Sequence, residues 1–205
     1  QDESSFWATY LPWGAATKID LVGDATAGVP AGVEAMLDIE YMPSMGALNP
    51  TGFWGFSGAS PQDAADEPFL TWLLTVADTP DATVPLVFST SYGEDETAEV
   101  PSAYADRINV EFVKCGLRGI SLLFASGDSG ASGDNGCDKD SKGNDIFVPQ
   151  WPSGSPYVTA VGTTAQQMIQ GGQGRRLGAL GGGSVAPLRR LRAASASALS
   201  ASGPG

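Results

Sequence analysis

The 205-residue chain contains no histidine, only 11 lysines and arginines, and only two cysteines. Each shortage removes a class of chemistry. Without an imidazole there is no Ser-His-Asp or Cys-His triad and no histidine-bound zinc. With 23 acidic residues the formal net charge is −12, which opposes binding to nucleic acid or to an anionic membrane surface, since phosphate recognition needs a positive field. No run approaches the roughly 18 consecutive apolar residues of a membrane-spanning helix. Cys115 and Cys137 leave open a bridge to each other, a bridge to a segment elsewhere, or free thiols. The chain starts Gln1-Asp2-Glu3, without the methionine, basic start or apolar stretch of a signal peptide, and reads as an internal or processed piece. It is long enough for one sizeable domain.

What is present is unevenly spread. All 23 acids precede residue 146, and residues 1–165 carry a net −17, whereas Arg175, Arg176, Arg189, Arg190 and Arg192 give the remainder +5. From about Gly171 onward the chain is mostly Gly, Ala, Ser and Arg, with too little large apolar surface to offset the entropy of ordering. The organisation expected is one domain over 1–165 and a low-complexity, disordered or frame-shifted tail over 166–205.

Residues 1–165 alternate between short apolar runs and helical spacing. Lys18 to Val22, Val84 to Phe88, Ile120 to Ala125 and Tyr157 to Val161 read as buried parallel strands. Glu67 to Val76 and Ser102 to Gly116 read as helices; in the second, Tyr104, Ile108, Phe112 and Cys115 share one face. The pattern predicts an α/β fold with a doubly wound, mostly parallel sheet, whose sites form at the carboxyl ends of its strands. That directs attention to residues 89–93 and 126–130.

Gly32 to Met42 has helical composition and is expected to end before Pro43. Glu34 and Asp38, four residues apart, then share a face about one turn distant, where like charges repel. Apolar neighbours such as Met36 and Ile39 would desolvate them and raise at least one pKa, so the two form a candidate acid–base pair. Spacing alone favours a plainer reading, an amphipathic helix with solvated acids. The segment Ser126-Gly-Asp128-Ser129-Gly130 follows the most apolar strand. Without histidine it is not a chymotrypsin-type nucleophile segment, and Ala131 breaks a G-x-S-x-G elbow. Locally it is also a simple Gly/Ser turn capped by aspartate. An EF-hand register from Asp138 fails, with Lys142 and Pro149 at ligand positions, leaving a solvated acidic loop.

Together these segments resemble the sedolisin family of serine-carboxyl peptidases, nearest its lysosomal tripeptidyl peptidase branch. The resemblance is carried by Gly32-Val-Glu34-Ala-Met-Leu-Asp38-Ile-Glu-Tyr41, Glu67-Pro-Phe-Leu-Thr-Trp-Leu73, Ser89-Thr-Ser91-Tyr-Gly93-Glu-Asp-Glu96, Leu122 to Ala131 and Ser155 to Thr163, in that order, over about residues 10–165. It implies a subtilisin-like fold truncated at both ends, with Glu34 as general base to a serine, Asp38 behind it, and Asp128 in the oxyanion hole. Asp128 would donate a hydrogen bond only when protonated, as a buried carboxyl with a raised pKa can be. The same resemblance places Ser91 and Gly93 against the substrate backbone and makes peptides or proteins the partners. It also implies a secreted or lysosome-like location and acid activity. A carboxylate suits such conditions, because at about pH 4 imidazole is fully charged while a glutamate remains partly ionised.

The sequence departs from the family where the nucleophile should come. That serine lies in a G-T-S type segment further on than the 77 residues that follow Asp128 here, and Gly162-Thr163-Thr164 belongs to a different family segment. After Gly181-Gly-Gly-Ser184 the chain turns into Val185 to Arg192 and an Ala/Ser run, as a shifted reading frame or mispredicted exon would. Calcium is expected for the complete family domain, with no ligand assigned in this chain. The chain is expected to be inactive and marginally stable alone. A non-catalytic pseudopeptidase that binds peptide or protein is the alternative.

Overall fold

The computed structural model describes residues 2–10, 18–26, 32–46, 49–60, 67–96, 100–133 and 136–163. The 166–205 tail lies outside the described residues. Two parallel strand–helix–strand units organise the rest. In the first, β1 (Ile19–Gly23) is followed by α2 (Val33–Met45) and β2 (Thr51–Gly55), with β1 and β2 paired in parallel, Leu21 opposite Phe53. In the second, β3 (Val87–Thr90) is followed by α4 (Ser102–Leu117) and β5 (Ser121–Ala125), again parallel, Phe88 opposite Leu122. The strand β9 (Thr159–Val161) extends the second sheet beyond β5 to give the order β3-β5-β9. The two sheets meet through side chains: Trp54 stands edge-on to Phe88 with ring centroids 5.0 Å apart. This is the parallel α/β arrangement that the alternation predicts.

The core forms where α3 (Phe69–Asp78) and α4 cover one face of the β3-β5-β9 sheet. Phe69, Trp72, Leu73 and Val76 recur at the spacing of one helical face, as do Ile108, Phe112 and Cys115 on α4, and all are buried. They close over Phe88, Leu122 and Phe124, whose alternation with more exposed neighbours sets the register. Phe124 touches three rings, with centroids 5.9 Å from Phe69, 6.1 Å from Trp72 and 5.7 Å from Phe112. The opposite face of the sheet, with Val87 60% and Val161 48% exposed, is open among the described residues. Glu111 is fully buried at the α4 surface, where Arg107 and Lys114 (2.8 Å) neutralise it.

Several boundaries differ from the sequence pattern for identifiable reasons. The third strand starts at Val87, because Pro85 has no N–H and Val84 closes a turn onto Pro80 (3.0 Å). The fourth helix runs past Gly116 to Leu117 and ends where Gly119 takes φ +76°, with the Ile120 N–H on the Cys115 carbonyl at 3.0 Å. Pro43 does not end α2: the helix continues to Met45, although the proline leaves the Ile39 carbonyl without its i+4 donor, and the neighbouring Glu40 carbonyl accepts from the Trp7 indole (3.0 Å) and the Ser44 hydroxyl. Trp7 belongs to α1 (Asp2–Tyr10), whose Phe6 stacks against Tyr41 of α2 at 5.1 Å. The Cys115 and Cys137 thiols are both free, the first buried and the second exposed.

Candidate active site

The strands β3 and β5 are neighbours, so the segments leaving their carboxyl ends lie side by side. Ser91-Tyr92-Gly93 continues from β3, and Ser126-Gly-Asp128 from β5. The sixth position of α2 brings Asp38 to the same place: the Ser91 hydroxyl donates into its carboxylate, 2.8 and 2.9 Å from the two oxygens. One helical turn earlier stands Glu34. Its carboxyl is pushed above the ordinary range by desolvation first, then by the charges of Asp38 and Asp128, with the Ser91 hydroxyl opposing the rise. Desolvation also pushes Asp38 up, again against the pull of Ser91. The three carboxylates therefore share one electrostatic site, though they come from two different strand–helix units.

Asp128 itself is exposed, in a turn whose backbone is held from below. Gly127 (φ +83°) lies so close to the Gln150 side chain that an added Cβ would stand 2.6 Å from its Cγ. Further along the same turn, a Cβ on Gly133 would stand 2.7 Å from the Asp95 Cγ. Asp95 and Gln150 pair with each other across the short antiparallel strands β4 (Glu94–Asp95) and β8 (Gln150–Trp151), side chain to side chain as well as along the backbone. The ends of the turn are tied by the Ser126 N–H to the Val161 carbonyl (3.0 Å) and the Val148 N–H to the Ala131 carbonyl (3.1 Å). The burial expected of Asp128 is not found among the described residues. The turn is fixed in place, with the Asp128 charge within reach of Glu34.

Gly93 is held close to the chain as well: a Cβ there would stand 2.6 Å from the Trp151 carbonyl oxygen, so only glycine lets β3 turn into β4 at this point. The Ser91 side chain, at the strand end expected to border the substrate backbone, is bonded to Asp38. Two residues without an assigned part also belong here. The Tyr92 phenol is pushed up to about 12 by desolvation and by the charges of Glu34, Glu67 and Asp38. Glu67, buried just before α3, offers its backbone N–H to the Glu94 carboxylate at 2.9 Å.

Known proteins resemble this chain in sequence. Over 137 residues, 67% of the chain, it is 46% identical to tripeptidyl-peptidase 1 of Canis lupus familiaris, and 44% identical to that of Homo sapiens over the same length. The Mus musculus protein is 46% identical over 135 residues. The chain belongs to the sedolisin family. It spans 22% of the length of these relatives. A solved structure with a similar fold is a Pseudomonas sedolisin, a serine-carboxyl proteinase complexed with two molecules of pseudo-iodotyrostatin, with a TM-score of 0.54 over 78% of this chain and 44% of that one. At 18% identity this match carries the fold alone. No family model matches the chain.

Among sedolisin-like features, the Glu34 and Asp38 spacing and the Asp128 turn were visible in the sequence. Tyr92 and the Asp95–Gln150 pair were not singled out by the spacing. Tyr92 directly follows Ser91, so the strand-end rule covers its position, but nothing in the local composition marks its phenol as facing carboxylates. Asp95 and Gln150 are 55 residues apart, and only the β4–β8 pairing joins them.

Proposed function

We propose that this chain carries the carboxyl part of the catalytic machinery of an acid-active serine-carboxyl peptidase that hydrolyses peptide bonds, in the manner of a tripeptidyl peptidase. The observation that carries the reading is the convergence of Glu34, Asp38 and Asp128 at the ends of β3 and β5, inside segments matching the sedolisin pattern. Glu34 takes the proton from a serine hydroxyl as its oxygen attacks the scissile carbonyl carbon. Asp38, one turn away, supports the protonated glutamate. The oxyanion so formed accepts a hydrogen bond from protonated Asp128; the C–N bond then breaks as Glu34 returns the proton to the leaving amine, and water releases the acyl group. Because Asp128 is exposed here, the substrate or the rest of the domain must supply its desolvation.

The nucleophile of this scheme lies outside the 205 residues, which contain no G-T-S segment. By itself the chain is therefore inactive in this reading. A secreted or lysosome-like location follows from the same relationship. Calcium is part of this proposal only for the complete domain, and no step above uses it. Ser91 and Gly93 border the substrate, Gly93 through its backbone.

The missing nucleophile also favours a second reading, a pseudopeptidase that keeps the scaffold to bind peptide or protein. The transcript around residues 165–205 separates the two, since a G-T-S segment in another frame belongs to the peptidase. The functional test is a full-length, frame-corrected protein assayed at about pH 3–5 on a tripeptide amide. Loss of one general base or oxyanion donor costs about 10²–10³-fold in kcat or more. Activity that survives Glu34→Gln and Asp128→Asn would refute the assignment.

A further inference from the structure

Carboxylates that crowd together are usually held by a cation, and among the described residues no ion pair reaches Glu34 or Asp38. Five of the six basic residues up to position 165 are paired elsewhere: Lys18 with Asp20, Arg107 and Lys114 with Glu111, Arg118 with Asp81, and Lys139 with Asp145. There is no histidine in the chain. What reaches the Glu34 and Asp38 pair instead is a neutral donor. The Ser91 hydroxyl comes from the end of β3, 53 residues from Asp38 in sequence, and stands almost equally far from both carboxylate oxygens, at 2.8 and 2.9 Å. A hydroxyl has a single proton, so this is one donation centred on the carboxylate, which fixes its rotation as well as its distance. The bond also ties the sheet to α2, the helix that carries both acids.

We propose that Ser91 is a positioning residue of the candidate catalytic pair, its hydroxyl fixing the Asp38 carboxylate in place beside Glu34. The proposal rests on the peptidase reading for its catalytic meaning, while the positioning itself does not. A consequence follows for protonation. The groups facing the pair are its own two carboxyls on α2, Asp128 after β5 and the Tyr92 phenol after β3, itself beside Glu67; Asp38 and Asp128 oppose the charge of Glu34, and the phenol brings no positive charge. Donation from Ser91 is the force in the other direction. It favours the ionised form of Asp38, which burial disfavours, so that the pair retains a site able to receive a proton.

The test uses the 205-residue chain, with carbon-13 in its Asp and Glu carboxyl groups, titrated by NMR. Asp38 is assigned by its disappearance in Asp38→Asn. In Ser91→Ala the Asp38 midpoint moves to higher pH, in Ser91→Thr it stays, and in Ser91→Cys, a similar shape with a weak donor, it falls between. Asp24 and Asp140, held low by their own hydrogen bonds away from this pair, do not move. An Asp38 midpoint unchanged in Ser91→Ala, or one that rises equally in Ser91→Thr, overturns the proposal. If Ser91→Ala does not fold, the Ser91→Cys and Ser91→Thr comparison decides by the same criterion. In the complete enzyme, Ser91→Ala lowers kcat about tenfold, the equivalent of one hydrogen bond, with little change in KM. If the titration shifts as expected but the complete enzyme has no peptidase activity, the function falls and the positioning stands.

Discussion

Placing a single methyl group on Gly133 tests the support beneath the Asp128 turn. The alanine Cβ would stand 2.7 Å from the Asp95 Cγ and 2.8 Å from its Oδ1, where carbon contacts are normally about 3.5–4.0 Å. One of the two must move by about 1 Å. Asp95 has little freedom to do so: it is 3% exposed and its carboxylate is bonded to the Gln150 side chain. The turn must therefore lift, or the Asp95–Gln150 bond must open. Overpacking of this kind costs about 1–3 kcal/mol. Gly116, inside α4 with open space around it, provides the opposite sign, because replacing a helical glycine by alanine there gains about 0.5–1 kcal/mol. Gly130 is a third case, with open space but φ +65°, and alanine there costs about 1–2 kcal/mol through the backbone alone. Urea unfolding followed by the fluorescence of the five tryptophans measures all three. Replacing Asp95 by alanine removes the obstructing Cγ and should recover most of the Gly133→Ala loss in a double-mutant cycle. A Gly133→Ala protein as stable as the parent, or one whose loss is unaffected by Asp95→Ala, refutes the close approach.

Other perturbations separate the remaining forces. Phe124→Ala, which empties the space between Phe69, Trp72 and Phe112, should cost about 3–5 kcal/mol in the same unfolding measurement; a loss below 1 kcal/mol would show that these rings do not form the core. Glu111→Leu should be nearly neutral, because Arg107 and Lys114 are half-exposed and can turn to water, whereas removing both cations strands a buried carboxylate and should cost about 3 kcal/mol or more. Equal losses in the two variants would contradict that asymmetry. The folded-state pKa values of Glu34 and Asp38 are raised, so the folded chain binds more protons than the unfolded one from the ordinary carboxylate range up to those values. Their contribution to stability is present below that range and lost as pH rises through it. Thermal melts should therefore show Glu34→Gln/Asp38→Asn gaining on the parent as pH rises above the ordinary carboxylate range of about 4. Asp24 and Asp140 work the other way in both proteins and cancel in the difference. A gap that narrows with rising pH would reverse the sign and refute the crowding.

What the sequence revealed follows from which interactions are local. The helical faces of α3 and α4 were legible because Phe69, Trp72, Leu73 and Val76, and Ile108, Phe112 and Cys115, repeat at a spacing that only one buried face explains. The apolar run Leu122 to Phe124 likewise announced a buried strand. By contrast α1 has no apolar stripe beyond Phe6, Trp7 and Tyr10, and it is helical where Trp7 and Phe6 dock on α2. In β2, Phe53 and Trp54 are adjacent and flanked by glycines, which hides the period of a strand until its pairing with β1 is known. Glu111 is the clearest reversal: a charge on a helix reads as solvated, yet two cations at positions i−4 and i+3 permit complete burial. In the site, Glu34, Asp38 and Asp128 were legible by resemblance, whereas the direction of the Ser91 hydroxyl was not, since it depends on where α2 packs relative to the end of β3.

Charge placement links these scaffold features to the site. The described basic side chains that form ion pairs all answer carboxylates of the scaffold or of exposed turns: Asp20, Asp81, Glu111 and Asp145. None is spent on Glu34 or Asp38, which leaves the carboxyls at the strand ends to repel one another. Such a site is costly near neutrality and relaxes as its acids take up protons. A counter-cation would lower this cost, but it would also hold the carboxylates ionised at acid pH, where the proposed mechanism needs Asp128 to carry a proton and Glu34 to exchange one. A neutral hydroxyl avoids that conflict: Ser91 orients Asp38 without adding a positive charge that would suppress protonation of its neighbours. The absence of histidine, the commitment of five described lysines and arginines to other partners, and the serine donor are thus consistent with a single requirement, that the charge of this site be set by protons.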